Sequence, residues 1–73
     1  CEDGFNYCGH HLESLGNYRA QIDQALGQAG QPNDTNHEKN SLFTCVDALG
    51  DILFLDFCAK GCKDHFGRND SCA

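Results

Sequence analysis

No stretch of about 18 apolar residues occurs in this chain, so no segment of it is long enough to cross a bilayer as a helix. Cations are scarce as well: five Lys and Arg stand against eleven Asp and Glu, a net charge of −6, and the acidic residues are scattered rather than gathered into a tail. Without a basic stripe to displace counterions, phosphate-backbone binding is disfavoured and no nucleic acid is expected as a partner. Disruption of membranes by cationic attraction fails for the same reason. Close ligand pairs of C-x2-C or H-x3-H type are missing, which argues against zinc. His10-His11 with Glu13 lacks the H-E-x-x-H arrangement, and the oxygen-rich set Asn33, Asp34, Asn36 and Glu38 fails the EF-hand pattern. No metal or cofactor is expected. A signal peptide is also lacking, and a chain starting at Cys1 reads as a processed form whose targeting segment has been removed.

What the chain does have is cysteine. Six occur in 73 residues: Cys1, Cys8, Cys45, Cys58, Cys62 and Cys72. A chain this short forms one domain, residues 1–73, and buries only roughly 60% of its unfolded surface, so its core is marginal and staples are expected. Three bridges at about 2–4 kcal/mol each would rival the whole net stability of such a domain. An even cysteine count in so short a chain is the pattern of a secreted, extracellular disulfide framework. Six cysteines allow fifteen pairings and the sequence does not select one. The Cys58-x3-Cys62 spacing suits two separate bridges to different partners, with a bridge between those two least favoured. Four histidines would be mostly protonated near pH 5, moving the net charge toward about −2.

The organising stretch is residues 41–62, SLFTCVDALGDILFLDFCAKGC. Two runs rich in β-branched, aromatic and leucine residues, 42–46 and 52–57, flank a turn-prone segment and predict a β-hairpin. In its second strand Leu53, Leu55 and Phe57 alternate with Ile52, Phe54 and Asp56. The first triad is the natural partner of a helix, which leaves Ile52 and Phe54 as a candidate exposed patch. Alternatively, the N-terminal strand or the C-terminal loop covers them.

Upstream, residues 5–12 (FNYCGHHL) predict a strand, although the His pair and Gly9 would also suit a first helical turn. Asn17 is placed to cap a helix over 18–29, where Tyr18, Ile22, Ala25, Leu26 and Ala29 form one apolar stripe. Gly30 and Pro32 end it. Residues 31–40 carry no apolar side chain apart from the Pro32 ring and predict an exposed loop. Asn33-Asp34-Thr35 and Asn69-Asp70-Ser71 are N-glycosylation sequons, making Asn33 and Asn69 candidate acceptors. The tail after Cys62 is polar, with Phe66 as its one apolar anchor.

The expected fold is α+β: a small disulfide-stapled domain, strand–helix–hairpin in order, with one main helix packed on an antiparallel sheet. Non-enzymatic binding to an extracellular or surface protein is the favoured activity, with Ile52, Phe54, Phe66 and Arg68 as contacts and the protein acting as a monomer rather than a dimer. Two other classes stay open. Acid–base hydrolysis of RNA would use His10, His11, His37 and His65 with Glu38, and Arg68 at the phosphate. A protease inhibitor or killer toxin would present residues 31–40 as its protruding loop.

Tyr7-Cys8-Gly9, Leu15-Gly16-Asn17-Tyr18, the helix closing on Gly30 with Gln31-Pro32 and His37, Ser41-Leu42-Phe43-Thr44-Cys45, Asp51-Ile52, Phe57-Cys58, Gly61-Cys62 and Asp70-Ser71-Cys72 together give the chain a recognisable pattern. It resembles a group of small cysteine-rich secreted proteins of filamentous ascomycete fungi. The likeness spans nearly the whole chain and implies a candidate effector with no catalytic motif to carry over. The sequence departs from the group's glycine-rich tail, where it has Lys63-Asp64-His65-Phe66-Gly67-Arg68.

Overall fold

The computed structural model describes residues 1, 3–46, 51–64 and 69–73 and is an α+β, disulfide-rich domain. Strand β1 (Asn6–Cys8) runs into helix α1 (Gly9–Leu15), followed by α2 (Arg19–Gln28) and α3 (Thr35–Asn40). The hairpin strands β2 (Ser41–Cys45) and β3 (Ile52–Phe57) come next, then the short strands β4 (Cys62–Lys63) and β5 (Ser71–Cys72). The first three strands form an antiparallel sheet in the order β1-β2-β3, and β4 pairs with β5 in a second, two-stranded sheet. Among the described residues three helices therefore stand where one main helix was expected, and the second sheet was not expected.

Residues 5–12 divide between the two structures their sequence allowed. Tyr7 pairs with Phe43 and Cys8 with Leu42, and the chain then turns into α1. Gly9 starts that helix because its backbone lies against the Glu38 carbonyl of α3, where a Cβ would collide. Helix α2 buries Ile22, Ala25 and Leu26 as its stripe predicts, but its N-cap is Tyr18 rather than Asn17. It ends in a Schellman motif: the Gln31 N–H donates to the Leu26 carbonyl at 2.9 Å and the Gly30 N–H to Gly27 at 3.2 Å. Gly30 has φ of 70°, the left-handed conformation that this ending requires.

The polar stretch 31–40 is a loop only as far as Asp34. Its second half is α3, whose first turn is capped by the Asp34 carboxylate accepting the His37 N–H at 2.8 Å. A helix of six residues without an apolar side chain leaves no hydrophobic period to read, which is why the expectation of a loop fails here. It packs against α1 and α2 and buries Glu38.

The hairpin forms, but its faces are exchanged. Ile52 is buried in the main core at 7% exposure, with Tyr7, Leu12, Ile22, Leu26 and Phe43, and Phe54 packs partly buried against that core. Leu53 and Leu55 are the exposed side chains, at 50% and 46%. Because ILFLDF is apolar at nearly every position, β3 alone has no parity to read, and the alternation of β2 decides it. Ser41, Phe43 and Cys45 are buried, and Phe57, Phe54 and Ile52 stand opposite them. A β-bulge reconciles the spacing: Leu42 pairs with Asp56 and Phe43 with Phe54, so Leu55 is the extra residue.

Three disulfides close the fold, Cys1–Cys45, Cys8–Cys62 and Cys58–Cys72. Cys58 and Cys62 thus go to separate partners. Cys8, Cys58 and Cys62 form a second small buried cluster with Leu42 packed on it.

Candidate functional site

Of the four residues expected to make contacts, Ile52 and Phe54 lie among the described residues. Ile52 faces the core, and Phe54 meets Phe43 edge-on with ring centroids 6.1 Å apart. The exposed patch proposed for that pair is therefore not there. Phe66 and Arg68 lie outside the described residues, as does His65.

The apolar surface is displaced by one residue along the strand. Leu53 and Leu55 project from β3, which is the last strand of its sheet, and Val46 is exposed across the hairpin. Beside them a groove opens between α2 and the hairpin, with Gln21, Gln24 and Gln28 on the helix side and Val46, Asp51 and Leu53 on the strand side. Its helix wall is polar apart from Ala25 and its hairpin wall is apolar apart from Asp51, while Asp51 and Asp56, both exposed, bracket the leucines along the chain. This combination, apolar side chains with carboxylates at both ends, suits a protein surface that is apolar at its centre and positive at its rim.

The described histidines are engaged structurally. His10 Nε2 donates to the Cys62 carbonyl at 2.8 Å. His11 Nδ1 donates to Asp70 Oδ2 at 2.7 Å and its ring meets Tyr7 edge-on at 5.2 Å. Both neighbouring imidazoles therefore tie α1 to the C-terminal part of the chain. His37 Nδ1 is 2.8 Å from Asp34 Oδ1, and its ring stacks on Phe57 at 4.0 Å. The His37 N–H, more than the ring, holds the Asp34 carboxyl below its usual range. Glu38 pairs with Arg19 at 3.3 Å, has Asp23 as a neighbour that raises its carboxyl pKa, and pairs with none of the described histidines.

Asp70 is the polar anchor that sequence reasoning missed. Its side chain is buried, and Oδ2 accepts the Cys8 N–H at 2.8 Å as well as the His11 proton. Its own N–H donates to the Asn6 carbonyl at 3.0 Å, and Asn69 Oδ1 accepts the Asn6 N–H at 2.8 Å. The second sequon thus serves as a clip on β1, with Asn69 itself exposed; Asn33 of the first sequon is exposed too. Nothing short of the tertiary contact marks Asp70, because a sequon predicts surface rather than burial.

Among the described residues one set of metal-ligand atoms comes together: Cys8, His10 and Cys62 offer atoms within 4.8 Å of one another. The two sulfurs are bonded to each other, so neither is the thiolate that a soft metal needs, and the oxidised protein does not fit a metal here. Comparison of the chain with protein-family models, with curated proteins and with solved structures gave no match.

Proposed function

We propose that this is a secreted, effector- or toxin-like protein that acts by binding an extracellular or surface protein of a host, without catalysing a reaction. The reading rests on one observation: two leucines, Leu53 and Leu55, stand half-exposed on the edge strand of a domain fixed by three disulfides. Exposed leucines add little to the stability of a monomer, while a cross-linked scaffold holds them in one geometry, so little ordering cost remains to be met on association. Leu53 and Leu55 take the place of Ile52 and Phe54 as the central contacts. The net charge of −6, with Asp51 and Asp56 flanking the leucines, favours a partner whose surface is apolar and ringed by Lys or Arg. Disulfides of this number suit an extracellular setting, in line with the resemblance to secreted fungal proteins.

The test is capture from host extracellular fluid by the immobilised oxidised protein, compared with a Leu53→Ser/Leu55→Ser double variant and a Leu15→Ser control on α1. A partner held by the wild type and the control, and lost by the double variant, supports the reading. Retention that is indifferent to both leucines overturns the surface, and RNA cleavage by the purified protein overturns the class.

A further inference from the structure

We infer that Asp23 on α2 and Glu38 on α3 share a single proton across the helix interface, forming a clasp that is closed in acid and loosens as pH rises.

The geometry leaves the two carboxyls little alternative. Glu38 is only 3% exposed, and its Oε1 receives Arg19 Nη2 at 3.3 Å. Its other oxygen, Oε2, and Asp23 Oδ1 are both sealed from solvent, and neither meets an N–H or O–H donor. Two ionised carboxylates in that position would each be desolvated without compensation and would repel one another. One proton between them turns one carboxyl into a donor and the other into its acceptor, satisfying both buried oxygens.

The charges around the pair act in the same direction, with one exception. From α1, Glu13 adds negative charge; from α2 come Asp23 itself and Arg19, and only Arg19 favours ionisation of Glu38. Strand β2, which also packs on α3, offers no titratable group, since Cys45 is in a disulfide. On α3 itself Lys39 is exposed and His37 is bonded to Asp34 and stacked on Phe57. The hydrogen bond with Asp23, then burial, then the Asp23 charge hold the Glu38 carboxyl above its ordinary range. Because Oε2 is closed to solvent, the pair cannot reach a substrate, so its role is structural rather than catalytic.

The sign of the effect follows. A carboxyl whose folded pKa is raised binds its proton more tightly folded than unfolded. Its stabilisation is complete below the ordinary Glu value, about 4.3, and disappears as pH rises through the higher folded value. Above that, either a buried charge faces Asp23 or α3 moves off α2. The helical layer is therefore held most firmly in acidic fluid.

The experiment is thermal and urea unfolding of the intact, oxidised protein from pH 4 to pH 7.5, wild type against Glu38→Gln. The Gln amide donates to the Asp23 carboxylate at every pH, so the variant keeps the clasp shut. Expected is a difference near zero at pH 4 that grows with pH in favour of Glu38→Gln. The unfolding constants should diverge by up to tenfold per pH unit between the unfolded and folded pKa values. The two His–Asp pairs are common to both proteins and cancel in the difference. Parallel profiles overturn the proposal, and so does a wild-type midpoint at pH 7 that rises on adding calcium, which would place a cation rather than a proton between the oxygens. A carbon-13 NMR titration of Glu38 Cδ in the wild type reads the same proton without any substitution. A midpoint in the ordinary Glu range overturns the clasp even if Glu38→Gln does not fold.

Discussion

Asp70 Oδ2 stands 2.7 Å from His11 Nδ1 and 2.8 Å from the Cys8 amide nitrogen, so one buried carboxylate joins the end of the chain to the junction of β1 and α1. His11 and Asp70 are in no disulfide, yet they sit beside the one between Cys8 and Cys62 and join the β1–α1 junction to the C-terminal part of the chain by a second, reversible means.

Replacing Asp70 with Ala strands the Cys8 N–H in a buried site as well as removing the His11 contact, and is expected to cost about 2–3 kcal/mol. His11→Ala leaves the bond to Cys8 intact and is expected to cost about 1 kcal/mol. Urea unfolding of the oxidised proteins measures both. Equal, small losses would show that Asp70 is not the anchor described here.

The exchange of faces on β3 is tested by a pair of substitutions. Ile52→Ala removes a buried side chain and should cost about 2–4 kcal/mol, while Leu53→Ala, one residue on, should stay within about 0.5 kcal/mol. The opposite order would restore the face expected from the sequence.

The disulfides differ in the loops they close. Cys8 and Cys62 are 54 residues apart and Cys58 and Cys72 are 14 apart, for which loop-closure entropy gives about 4 and about 3 kcal/mol. Cys8 and Cys62 are also buried, whereas Cys72 is exposed. Paired Ser substitution at Cys8 and Cys62 should therefore lower the midpoint further than at Cys58 and Cys72. A larger loss from the shorter loop would mean that β4 and β5 carry more of the fold than their two residues each suggest.

Legibility in the sequence tracked the physical signal available. Helix α2 was readable because its apolar stripe has the helical period and Gly30 follows its end, and the hairpin because two β-rich runs flank a turn. Helix α3 was not, since its only buried side chain is a carboxylate and no apolar residue repeats along it. The parity of β3 was lost in a run of apolar residues and settled by β2 through a bulge that no local pattern announces. Cysteine pairing needed the three-dimensional fold. The leucine surface, the Asp70 anchor and the Asp23–Glu38 pair are all products of contact between distant segments, and the sequence singled out Glu38 alone, for calcium or proton transfer rather than for a carboxyl partner.

The bridges also overlap along the chain: the span from Cys1 to Cys45 runs into that from Cys8 to Cys62, which in turn runs into that from Cys58 to Cys72. No peptide bond between the first and last of these cysteines lies outside every loop. A protease that nicks the backbone once within them therefore releases no fragment, and the cut product remains one covalent molecule, heavier by a water, until a reductant reaches it. In a digestive fluid, survival of the whole is decided by access to the sulfurs before it is decided by access to the amides.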